Sequence, residues 1–161
     1  MLASDQHPDH DVQSGETFIA TVYNAIRENP DLWKSTALLI VYDEHGGIFD
    51  HVPPPTLKVA DPFPASADST GTGFEFLFDR LGVRVPAILV SPWVGRATVV
   101  PGPEDAVKGR IFEHACIPAT VTQHFIGDYP NRSPREIAAS TFLDLLTDTM
   151  RPESDCPFFS V

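Results

Sequence analysis

Three carboxylates and two imidazoles crowd into nine residues, Asp43-Glu44-His45-Gly46-Gly47-Ile48-Phe49-Asp50-His51. Carboxylate oxygens are hard ligands that suit Mg, Ca or Mn, and adding imidazole moves the choice toward Zn, Fe or Mn. A divalent metal held there can bind phosphate oxygens and stabilise charge developing at phosphorus. Gly46 and Gly47 let backbone N–H groups approach an oxyanion. The plain alternative is an acidic turn capped by glycines. The density of functional groups, Asp43, Glu44, His45, Asp50 and His51, directly behind an apolar run favours a site.

Other residues could join that chemistry. Arg84 carries a guanidinium able to clamp a phosphate through two N–H groups, or to serve a structural ion pair. His7 and His10 lie in a polar N-terminal stretch, where they are either solvated or in reach of a metal or phosphate. His114 lies among apolar residues of a helical pattern, where a lone histidine is more often structural. His124 reads as surface. No G-x-S-x-G, P-loop or G-x-G-x-x-G occurs, so the chain offers metal ligands and general acids but no evident nucleophile.

The elements that must position these groups follow from periodicity. Thr36 to Tyr42 reads as a strand, and its lack of polar alternation predicts cover on both faces, as in a parallel or mixed sheet. Gly46-Gly47 ends it, Ile48-Phe49 returns the chain to cover, and Pro53-Pro54-Pro55 is stiff extended chain. Before the strand, a helix from Ser14 to Asn29 has Ser14 as N-cap. Its apolar stripe is Phe18, Ile19, Val22, Tyr23 and Ile26, and Asn29-Pro30 stops it. Ala87 to Val90 reads as a second buried strand. Ile111 to Phe125 reads as a helix with Pro118 either near its first turn or kinking it, and Ser133-Pro134-Arg135-Glu136 opens another running to about Leu146. Residues 151–161 read as irregular. Residues 56–81 read as a long loop pinned by Phe74, Phe76, Leu77 and Phe78, of the kind that serves as a lid. The class is α/β, but two strong strands fall short of the five or six of a mean sheet. Either weaker strands hide in 56–81 and 93–110, or the chain is part of a larger sheet.

The totals bound the rest. A length of 161 residues fits one domain, and 42% apolar with 20% charged residues is ordinary for a soluble globular protein. No run approaches the ~20 apolar residues of a membrane span, and the N-terminus does not read as a signal peptide, which leaves the compartment open. A net charge of −11 argues against non-specific binding to nucleic acid or anionic lipid. It leaves a phosphate substrate open, because a bound metal inverts the local field. Cys116 and Cys156 form no CxxC pair. Cys116 reads as buried and inert, and a disulfide between the two is undecided.

With these residues in view, the chain resembles the phosphoesterase family that groups non-specific phospholipases C with a class of acid phosphatases, in the alkaline-phosphatase-like superfamily. Asp43 to Val52 matches its D-E-x-G-G-x-x-D-H-V segment, and Gly82-Val83-Arg84-Val85-Pro86 through Pro92 matches its G-x-R-V-P segment. His7-Pro8 with Gly15-Glu16, and Phe112-Glu113-His114, are weaker matches; Ala115-Cys116 replace a Thr-Ser pair. The resemblance implies the C-terminal part of one catalytic domain over 1–161, in an incomplete three-layer α/β/α sandwich. It implies Asp43 and Glu44 as ligands of a divalent metal (Ca, Mg, Mn or Zn) and His7 and His114 as acid, base or charge stabilisers beside the phosphate. Asp50, His51 and Arg84 would be their support. The implied reaction is attack of a Ser or Thr hydroxyl on a phosphate ester, phospholipids included, giving a phospho-enzyme that water hydrolyses.

Two family motifs are absent: E-N-R-S-F-D-H, which supplies metal ligands, and T-x-P-N-R, which carries the nucleophile. Pro130-Asn131-Arg132 is no substitute, since Asp128 stands in the Thr position. A second expectation is therefore a non-catalytic metal- or phosphate-binding fragment. A sulfatase or phosphomutase relative fits the D-E-x-G-G-x-x-D-H-V segment less well. A half-sheet with an exposed edge would favour homodimerisation.

Overall fold

A computed structural model of the chain describes residues 4–56, 80–100 and 110–160. The expected aromatic anchors of the long loop, Phe74 to Phe78, lie outside the described residues. The chain forms two compact units, one drawn from Met1–Val41, Ala87–Arg96 and Thr147–Val161, the other from Tyr42–Pro86 and Ala97–Leu146.

In the first unit, helix α1 (Val12–Glu28) starts earlier than expected. Its N-cap is Asp11, not Ser14, because the Asp11 carboxylate accepts the Gln13 N–H at 2.9 Å. Asn29 ends α1 and caps α2 (Pro30–Lys34), accepting from the Asp31 and Leu32 N–H groups at 3.0 and 3.1 Å. Pro30 at the first helical position has no N–H to strand there. The expected turn into the strand is thus one helical turn.

Strands β1 (Leu38–Val41) and β2 (Ala87–Val90) pair antiparallel, Leu38 opposite Val90 and Val41 opposite Ala87. β1 is half-buried throughout and Ala87 and Ile88 are exposed, so neither strand is covered on both faces. An unbroken apolar run shows what a strand is able to bury. The cover itself depends on flanking layers, and a two-stranded ladder supplies few.

The core of this unit is Tyr23, Trp33 and Cys156, with Ile26, Leu38 and Val90 packed against it. Tyr23 meets Trp33 edge to face, centroids 5.6 Å apart. Of the expected helical stripe, Phe18 stays exposed. The C-terminal tail is irregular, as expected, apart from one 3-10 turn (Glu153–Asp155). It nonetheless closes the core. The Cys156 carbonyl accepts from Nε and Nη2 of buried Arg27 at 3.0 and 2.9 Å. Tyr23 donates its hydroxyl to the Pro157 carbonyl at 3.0 Å, and the Asn24 amide exchanges two hydrogen bonds with the Phe159 backbone.

In the second unit, α3 (Cys116–Val121) runs into a wider π turn (Thr122–Ile126). Pro118 sits in the first turn of α3, where its missing N–H costs nothing. Helix α4 (Pro134–Ala138) has the expected Ser133 cap on the Glu136 N–H, at 3.1 Å. It stops at Ala138 and not near Leu146: Ala139 is extended, and the Thr120 hydroxyl takes the Phe142 N–H at 3.0 Å. A 3-10 turn follows at Leu143–Leu145. Both cysteines are buried free thiols, and burial pushes the Cys116 thiol up, as an inert thiol requires. The class is mixed helix and strand around a small sheet.

Candidate functional site

The site residues of the second unit lie on three segments. The first is the loop that leaves β1. Gly46 and Gly47 both hold the left-handed conformation, φ 67° and 68°. Residues with a Cβ rarely adopt it, so the glycine pair is needed for backbone shape. The loop's carboxylates brace it from within. Asp43 Oδ1 accepts the Glu44 N–H at 3.0 Å, and Glu44 Oε2 accepts the Gly46 N–H at 2.8 Å. His45 Nδ1 lies 3.5 Å from the same Glu44 oxygen.

The second segment is Gly82 to Pro86. Arg84 forks onto Asp50, Nε to Oδ2 at 2.6 Å and Nη2 to Oδ1 at 3.4 Å. Asp50 also accepts the Val52 N–H at 3.0 Å. That backbone bond, with the Arg84 charge behind it, holds the Asp50 carboxyl below its usual range. Arg84 therefore clamps the loop's far end. His51 Nδ1 lies 3.5 Å from Asp50 Oδ1, with its ring exposed.

The third segment carries His114. Its Nε2 lies 2.9 Å from the Tyr42 carbonyl oxygen. A carbonyl only accepts, so Nε2 carries the proton there and Nδ1 is the atom left for acid–base work. This bond ties His114 to the residue just before Asp43. Its neighbours are pinned in turn: Arg135 donates to Glu113 Oε2 from Nε and Nη2 at 2.9 and 2.6 Å, and Phe112 stacks on Phe142 at 5.5 Å. The docking partner is a backbone oxygen, which residue spacing does not reveal.

His7 belongs to the first unit. Its Nδ1 lies 2.9 Å from the Pro8 carbonyl oxygen. Arg132, next to the discounted Pro130-Asn131, is taken up by Glu136 at 3.0 Å. Ile48 and Phe49 do not return to cover: they are 71% and 89% exposed. With His45, His51, Pro53 and Val83 they line an open groove of about 590 Å³.

The donor set fits a hard divalent cation in kind but not in number. Asp43 and Glu44 each commit one oxygen to a loop N–H. Among the described residues no three His, Cys, Asp or Glu side chains converge as metal ligands. Two carboxylates are a partial set.

The second unit thus holds a braced D-E-H-G-G loop with His114 docked on the carbonyl of Tyr42, the residue just before it. The model of the Phosphoesterase family matches residues 1–126, and the chain belongs to that family. It is 42% identical to non-specific phospholipase C6 and 44% identical to non-specific phospholipase C1 of Arabidopsis thaliana, over 96% of this chain in each case. It is 33% identical over 82% of its length to the non-hemolytic phospholipase C of Burkholderia pseudomallei. The match falls in the C-terminal part of the plant relatives, and the chain spans 29% and 28% of their length.

Proposed function

We propose that this chain is the C-terminal part of a catalytic domain that hydrolyses phosphate esters, phospholipids among them, with a divalent metal. The observation that carries this reading is the carboxylate pair at the exit of β1, with His114 fixed one residue away on the Tyr42 carbonyl. Asp43 and Glu44 would hold the ion, which when bound supplies Lewis-acid polarisation of the phosphoryl oxygen. The remaining ligands and the hydroxyl that attacks phosphorus belong to the two family motifs that this sequence does not contain, within an alkaline-phosphatase-like α/β/α sandwich. His114 Nδ1 is the atom left to move a proton at the phosphate, and the resemblance gives His7 a like acid–base role. Asp50, Arg84, His45 and His51 keep the loop in shape. Attack through a hydroxyl gives a phospho-enzyme that water clears.

The test is release of phosphorylated headgroup from phosphatidylcholine, and of nitrophenol from its phosphate ester, in the presence of Ca²⁺, Mn²⁺ or Zn²⁺. Asp43→Ala and Glu44→Ala each cut turnover by roughly tenfold or more. Equal turnover without these carboxylates overturns their role. A chain that binds metal yet hydrolyses neither substrate supports the non-catalytic binding module instead.

A further inference from the structure

The N-terminal turn holds more machinery than His7. One oxygen of Asp5, Oδ1, accepts the backbone N–H of His7 at 3.0 Å and lies 2.7 Å from the His10 ring at Nδ1. The His10 N–H closes the turn on the His7 carbonyl at 3.0 Å. Asp9 takes a left-handed φ of 79°, uncommon for a residue with a Cβ, to let the turn close. The His10 bond first, and the His7 N–H next, hold the Asp5 carboxyl below its usual range. An ionised carboxylate only accepts, as does the Pro8 carbonyl against His7 Nδ1. Both Nδ1 atoms therefore carry the proton. In its neutral form each ring is then left with a lone pair on Nε2, for which no partner occurs among the described residues. An oxygen-held Nδ1 with an outward Nε2 is how neighbouring groups fix the tautomer and aim of a working histidine.

We propose that Asp5 is the positioning residue of this turn, one carboxylate oxygen holding the His7 backbone and the His10 ring so that both imidazoles keep Nε2 as an outward proton acceptor toward substrate. This rests on the phosphoesterase reading for the identity of the substrate. The turn geometry stands independently of it. His10 then joins His7 as a second proton-accepting imidazole.

Long-range proton–nitrogen NMR of the full chain, at a pH where both rings are neutral, reads the tautomers directly. The wild type shows Nδ1–H for His7 and His10. Asp5→Ala moves both toward the Nε2–H form of free histidine, with its circular-dichroism melt confirming that the chain stays folded. Asp5→Asn keeps an acceptor oxygen in place and restores both signals. Nε2–H tautomers in the wild type, or His7 and His10 signals unmoved by Asp5→Ala, overturn the proposal. Turnover separates it from the functional reading. In an active chain Asp5→Ala lowers kcat roughly tenfold with KM little changed, and Asp5→Asn recovers most of it. Absence of wild-type hydrolysis tells against the functional reading, while the tautomers still decide the positioning.

Discussion

The core of the first unit and the candidate loop of the second are held by opposite means. Tyr23, Trp33 and Cys156 are almost fully buried, and the contacts that close them span well over a hundred residues of sequence, as in Arg27 with Cys156. The Asp43–His51 loop is nearly all exposed and braced over one or two residues, Asp43 on Glu44 and Glu44 on Gly46, with Arg84 as a distant clamp among the described residues. Apolar burial stabilises the frame, while short-range polar bonds and backbone conformation shape the loop. The two should therefore fail differently. Damage to the core should unfold a unit, and damage to the loop should change its form and chemistry with little loss of global stability.

The largest effect should come from the core. Trp33→Ala removes a ring that is 4% exposed and should cost about 3–5 kcal/mol, seen as an earlier urea transition. A loss below about 1 kcal/mol would mean that the burial described here does not stabilise the unit. Next come the glycines. Gly47→Ala meets no atom of the described residues within 4 Å, so the expected cost is backbone strain of about 1–2 kcal/mol. The same strain applies at Gly46. Backbone NMR shifts should change across 43–51 and stay fixed in α1. Changes spreading into α1 would erase the contrast between the two regions.

The smallest effect is a titration. The Asp50 carboxyl is depressed below its ordinary value of 3.8, by the Val52 N–H first and by Arg84 behind it. A depressed folded-state value means that this carboxylate contributes stability above pH 3.8 and loses it as pH falls through the lower folded value. Carboxyl-carbon NMR should follow that titration. Arg84→Met should bring Asp50 only part of the way back toward 3.8, because the Val52 bond remains. A full return would reverse the ranking of the two causes, and no movement would remove Arg84 as a cause.

How much of this was legible in the sequence divides along the same line. The short-range features could be read directly. β2 runs from Ala87 to Val90 as expected, the Ser133 cap on α4 holds, Pro118 falls in a first turn, and Cys116 is buried. The D-E-H-G-G segment and the G-x-R-V-P segment pointed to the family the chain belongs to. Features set by distant partners could not be read. The tail looked irregular, and its part in the core is carried by carbonyls at Cys156 and Pro157 that side-chain patterns do not encode. Helix α4 ends early because a threonine hydroxyl fourteen positions before its start claims the Phe142 N–H. His114 looked like a structural histidine from its apolar neighbours, and only the Tyr42 carbonyl places it at the loop. Asp5 drew no attention because a lone aspartate in a polar stretch carries no periodic signal.

The central claim, that Asp43 and Glu44 are metal ligands, is tested most directly by calorimetric titration of Mn²⁺ and Ca²⁺ into the full chain, its Asp43→Asn and Glu44→Gln variants, and Asp50→Asn as a control. The account predicts affinity in the wild type that falls by roughly tenfold or more in each of the first two variants and by less in the control. Wild-type affinity retained in both Asp43→Asn and Glu44→Gln would contradict it.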